Sequence, residues 1–105
     1  IMIKIVDDNN FTREVLMSTR LVIVDFFATW CGPCKMLSPI LETISKENKN
    51  VKIVRIDVDD NPKASNRYDI RSIPKLIFFK NGKEVDEILG FVPKDIIKEV
   101  INDNL

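Results

Sequence analysis

Apolar residues recur along this chain in two rhythms, every second position or every third to fourth, and the switches between them predict elements in the order βαβαβαββα. Ile1, Ile3 and Ile5 alternate with Met2, Lys4 and Val6, a short strand that ends at Asp7-Asp8-Asn9-Asn10. Such a polar run suits the capping of a helix, which the pattern predicts over 11–19. Residues 21–28 are apolar on both faces except at Asp25, as in a central strand of a parallel sheet covered on both sides. Over 35–49, Met36, Leu37, Ile40, Leu41 and Ile44 fall at helical spacing; Pro39, which lacks an N–H, is expected to bend that helix.

The β-branched run over 51–58 predicts a second buried strand, and Asp59-Asp60-Asn61-Pro62 supplies an N-cap and a proline near the first turn of a brief helix reaching about Tyr68. Asn81-Gly82 between apolar runs at 75–79 and 84–89 marks a tight hairpin, because both residues tolerate positive φ. From Pro93 onward, Ile96, Ile97, Val100 and Ile101 share one face of a closing amphipathic helix. Strands that alternate with helices imply parallel pairs joined by right-handed crossovers, and the late hairpin must add antiparallel strands at one side. An α/β fold with a mixed sheet under helices follows, as one domain over residues 1–105.

Composition narrows the chemistry. Sixteen basic and sixteen acidic residues balance, so no surplus positive field draws in nucleic acid or an anionic membrane, and neither is an expected partner. No apolar stretch is long enough to span a bilayer and no signal-peptide pattern opens the chain, so a reducing, cytoplasmic location is expected. The chain contains no histidine, which removes Ser-His-Asp and Cys-His nucleophile activation and any His-ligated zinc. Two cysteines cannot complete a four-thiolate site, and no metal is expected.

Those cysteines sit in Trp30-Cys31-Gly32-Pro33-Cys34, between the predicted central strand and the long helix. A helix N-terminus offers unpaired N–H groups and the positive end of the helix dipole, and both stabilise a thiolate at Cys31. Cys34, one turn further in, is close enough for a disulfide and more covered. Cys31 is thus the candidate nucleophile and Cys34 the candidate resolving thiol. Half of a zinc ribbon is the competing reading of a lone CxxC; its place at a strand-to-helix junction, with no second ligand pair, favours redox chemistry.

Trp30-Cys31-Gly32-Pro33-Cys34 resembles the active-site signature of the thioredoxin family letter for letter, and the resemblance covers nearly the whole chain. It implies the thioredoxin fold, with a five-stranded mixed sheet of order 1-3-2-4-5 flanked by four helices. It places Asp25 at the family's buried acid, a proton acceptor, and Pro39 at its helix kink. It makes Ile73-Pro74 a cis-proline step and Gly90 part of the active-site loop. Trp30, Ile73, Pro74, Gly90 and Phe91 would form the substrate-docking surface, while Trp30, Gly32, Pro33 and Arg55 would tune the site. The implied activity is reduction of protein disulfides by a monomer. No cofactor would be bound beyond the redox-active Cys31–Cys34 pair; NADPH and FAD would belong to a partner thioredoxin reductase. Two alternatives are a disulfide oxidase or isomerase, against which Gly32-Pro33 weighs because those relatives usually carry histidine before the second cysteine, and a non-catalytic module in a larger assembly.

The chain also departs from the family pattern. Phe27 stands where tryptophan is common, Arg55 where lysine is, Ser72 where glycine is frequent and Lys75 where threonine often follows the proline. A guanidinium cannot release its proton, so Arg55 would favour ionised Asp25 more persistently than lysine would. Asp57, on the same strand face, is expected to compete for Arg55, leaving desolvation to dominate at Asp25. The charge runs at 57–60 and 46–49 read as solvated surface.

Overall fold

Residues 21–27 have almost no polar side chain on either face, and the rest of the fold is built around burying both faces of that strand. A computed structural model describes residues 3–105, so the first two positions of the predicted opening strand lie outside the described residues. The order is β1 (Lys4–Val6), a π-helical turn (Thr12–Leu16), β2 (Leu21–Phe27), α1 (Gly32–Glu47), β3 (Val51–Asp57), α2 (Pro62–Arg67), β4 (Lys75–Lys80), β5 (Lys83–Leu89) and α3 (Lys94–Asp103). The strands form one sheet in the order β1-β3-β2-β4-β5. β1, β3 and β2 run parallel, and β4 and β5 are antiparallel to their neighbours. This is the thioredoxin fold, as the resemblance implies.

Alternation along the strands divides the core into two halves. Leu21, Ile23, Ile53, Leu76 and Phe78 face Leu37, Leu41 and Ile44 of α1 and Ile97 and Ile101 of α3. On the other side, Val22, Val24, Phe26, Val54 and Ile77 meet Phe11, Val15 and Ala64, where the Tyr68 ring lies 5.4–6.1 Å from those of Phe79, Phe11 and Phe26. The parallel strands end at the pole from which α1 starts, and there the cysteines sit.

Three local expectations are corrected. The helix predicted over 11–19 is a five-residue π-helical turn closed by the Met17 N–H on the Thr12 carbonyl (3.0 Å), and a single turn is too short for periodicity to separate α from π winding. Its predicted polar cap acts elsewhere. Asp8 accepts the Lys63 and Ala64 amides at 3.0 and 2.9 Å, and so caps α2 across the fold. Asn61 does stand at the N-cap of α2 with Pro62 in the first turn, as predicted, but its side chain accepts the Asp8 amide and donates to the Asp57 carbonyl, both at 2.8 Å. Both cross-chain contacts form because β1 and β3 are neighbours, which local sequence does not show. Finally, α1 starts three residues earlier than predicted, at Gly32, and Pro39 lies inside it.

Glycine is obligatory at the hairpin. Asn81 and Gly82 take φ of 52° and 80°, and a Cβ on Gly82 would lie 2.8 Å from the Leu16 carbonyl oxygen. The turn therefore packs directly on the π-helical segment.

Candidate active site

Cys31 occupies the N-cap of α1 with extended backbone angles (φ −88°, ψ 111°), and its sulfur accepts the Cys34 amide at 3.2 Å. Gly32 and Pro33 fill the first two helical positions, where the missing proline N–H costs nothing because first-turn amides have no intrahelical acceptor. The Cys31 and Cys34 sulfurs are joined in a disulfide with Cα atoms 5.2 Å apart. Both residues are buried in this oxidised state, at 4% and 1% exposure, so the expected contrast in accessibility is small. What distinguishes Cys31 is its place outside the first turn, with a helix amide directed at its sulfur. Ala28 packs with the pair, and Phe27, Val58 and Ile73 border it.

The docking residues implied by resemblance gather at this pole. The Ile73-Pro74 bond is cis, the Pro74 carbonyl accepts the Gly90 amide at 2.8 Å, and Gly90 has φ of 87°, a left-handed value that a side chain would strain. Phe91 follows with 41% of its surface exposed, and Trp30 exposes 69%. Asp59, read from sequence as solvated surface, fixes the indole: its carboxylate accepts the Trp30 Nε1–H at 2.8 Å. The turn that brings it there is held by Asp57, which accepts the Asp59 amide at 2.9 Å.

In β2, Asp25 is fully buried, and its Oδ2 accepts from Arg55 Nε at 2.9 Å. The expected competition from Asp57 is therefore not what the fold provides. Asp25 and Arg55 stand directly opposite each other in the parallel register of β2 and β3, whereas Asp57 turns into the following loop. The guanidinium carbon lies 4.0 Å from the centre of the Phe27 ring, which keeps Arg55 from extending into water; only 17% of its side chain is exposed. Burial nevertheless pushes the Asp25 pKa up, against the lowering charge and hydrogen bond of Arg55. The expected direction holds, with Arg55 in place.

Two groups went unnoticed in the sequence. Ser38 and Glu42 follow Cys34 at four-residue steps on one stripe of α1, and with Cys34, Phe27 and Arg55 they line a groove of about 550 Å³. The i, i+4, i+8 spacing from the second cysteine was the available signal. Asp25 Oδ1 and Glu42 Oε1 are the two buried side-chain oxygens left without a hydrogen bond among the described residues. No group of three or more Cys, Asp or Glu side chains among the described residues has the arrangement of a metal site.

Comparison with known proteins agrees with this geometry. The sequence model of the thioredoxin family matches residues 2–103. Thioredoxin of Rickettsia prowazekii is 46% identical over 105 residues, which is 99% of this chain and 100% of the relative. Thioredoxin of Chlamydia caviae is 46% identical over 101 residues (96% and 97%), and that of Porphyra purpurea 45% over 98 residues (92% of each). Together with the Cys31–Cys34 disulfide at the start of α1, these matches place the chain in the thioredoxin family, as a thiol-disulfide oxidoreductase.

Proposed function

We propose that this protein works in the reducing direction, as a general reductant of protein disulfides, with Cys31 as nucleophile, Cys34 as resolving thiol and Asp25 as proton acceptor. The observation that carries the reading is the Cys31 sulfur at the N-cap of α1, with the Cys34 amide directed at it. Cys31 thiolate attacks a target disulfide, and one target sulfur leaves with the electron pair. Cys34 then attacks Cys31: the Cys31–Cys34 bond forms, the bond to the target breaks, and the target has gained two electrons. The Cys34 proton passes to Asp25 through a water molecule, a role supported by the burial of Asp25 and by its unpartnered Oδ1.

Docking is assigned to Trp30, Ile73, Pro74, Gly90 and Phe91. A target segment would pair with the backbone just before Pro74, a contact that depends little on sequence. Gly32, Pro33 and Arg55 are assigned to tuning the couple. A thioredoxin reductase would regenerate the dithiol, with NADPH and FAD in that partner, and disulfide-containing proteins would be the substrates. We place the protein in the cytoplasm, as a one-domain monomer carrying electrons; no helix among the described residues is long and apolar enough to cross a membrane.

The test is reduction of insulin and of a small aryl disulfide, each driven by NADPH and thioredoxin reductase. Both substrates should turn over. Trp30→Ala is expected to raise KM for insulin about three- to tenfold and to leave the small disulfide within about twofold, because only a protein covers the indole. Equal losses on both substrates would show that Trp30 acts on the cysteines and not in docking, and no turnover of either substrate would refute the reductase reading.

A further inference from the structure

The groove beside Cys34 holds a guanidinium with one committed nitrogen. Arg55 uses Nε for Asp25, and its planar fork carries two further amino groups. Among the described residues, no carboxylate other than that of Asp25 lies within 4.0 Å of that guanidinium. Proton uptake by Asp25 would remove this counter-charge and leave a cation, five-sixths buried, with the Phe27 ring beside it but no counter-ion; such a state is costly. Glu42 is the one acidic side chain among the residues lining the groove. It also lines, with Arg55 and Ser38, an adjoining cavity of about 100 Å³ whose remaining wall is Ile3 and Ile5. Its Oε1 is buried and has no hydrogen bond.

We propose that Glu42 is the second counter-ion of Arg55, balancing the guanidinium across the groove while Asp25 is protonated, and is thereby a positioning residue for proton uptake from Cys34. The proposal rests on the reading of Asp25 as that proton's acceptor. Glu42 makes and breaks no covalent bond: during resolution the Cys31–Cys34 bond forms, the target sulfur leaves, and the proton moves from Cys34 to Asp25. The remaining charges around the pair are few. Among the described residues, α1 presents Lys35 to the groove, exposed and screened by solvent; Ile3 and Ile5, just before and within β1, are apolar; Asp57, further along β3, accepts the Asp59 amide; and Leu76 of β4 is the neighbour of Asp25 on its other side.

Single-turnover resolution of a mixed disulfide, followed across pH in the wild type, Glu42→Gln, Asp25→Asn and the double variant, tests this. Without Glu42, protonating Asp25 strands Arg55, so Asp25 becomes the weaker base. Glu42→Gln should slow resolution about threefold at neutral pH and move the acid limb of the profile to lower pH. The carboxyl-carbon resonance of Asp25 in the same variant should titrate at lower pH than in the wild type, a readout that does not depend on turnover. In the Asp25→Asn background the Glu42 substitution should add nothing. If Asp25→Asn is slow while Glu42→Gln matches the wild type in rate and titration, Glu42 has no such role. A Glu42→Gln defect that persists without Asp25 also overturns the proposal, and an Asp25→Asn variant that resolves at the wild-type rate overturns both this proposal and the reading beneath it.

Discussion

Cys31→Ser is expected to lower the rate of protein-disulfide reduction by at least about a thousandfold, since it removes the only thiol at the helix N-cap and a serine hydroxyl is not ionised there. Cys34→Ser should fail differently. The initial attack survives, the mixed disulfide forms, and it accumulates because nothing displaces the target from Cys31. Denaturing gels without reductant, run after mixing with an oxidised target, should show the covalent adduct for Cys34→Ser and none for Cys31→Ser. Iodoacetamide applied below neutral pH to the reduced wild type should mark Cys31 first. Preferential labelling of Cys34 would reverse the assignment, and the small difference in burial between the two residues makes this a demanding test.

Asp25→Asn carries the second large effect, and it acts on stability and kinetics in opposite senses. Burial raises the Asp25 pKa above the ordinary aspartate value of 3.8, so the folded protein binds this proton more tightly than the unfolded chain does. Its cost to stability is therefore absent below that ordinary value, grows as pH rises toward the folded value and is complete above it. Asparagine keeps the shape and an oxygen for Arg55 without the buried charge. With Glu42 left to balance Arg55 across the groove, the variant is expected to be more stable than the wild type at the alkaline end of a pH series of urea titrations, with the gain vanishing at acid pH. Resolution should slow by at least about tenfold near neutral pH, while the initial attack by Cys31 is unchanged. A stability difference that is the same at all pH values would mean that Asp25 does not titrate in the accessible range.

The sequence carries the architecture well because the pattern at 21–27 admits one interpretation: a strand apolar on both faces must lie inside a sheet with helices on each side. The hairpin was equally legible, since Asn81-Gly82 specifies a backbone geometry and not merely polarity. Arg55 was harder. Its partner depends on the register between β2 and β3, and its restraint depends on the Phe27 ring, a contact that no spacing rule encodes. The side chains of Asp8 and Asn61 fail in the same way, each having chemistry that reads locally as a cap while its bonding partners lie more than fifty residues away in the chain. Glu42 lies between these cases: its stripe with Cys34 and Ser38 was visible, but its burial beside a guanidinium was not.

The direction of electron flow is decided by the reduction potential of the Cys31–Cys34 couple, measured by equilibrating the protein with NADPH and thioredoxin reductase or with a dithiol buffer and quantifying the free thiols. A protein-disulfide reductant with Gly32-Pro33 between its cysteines should poise at about −270 mV, where thioredoxins lie. A potential near −120 mV, where strong disulfide oxidants lie, would make the protein a donor of disulfides and contradict the account.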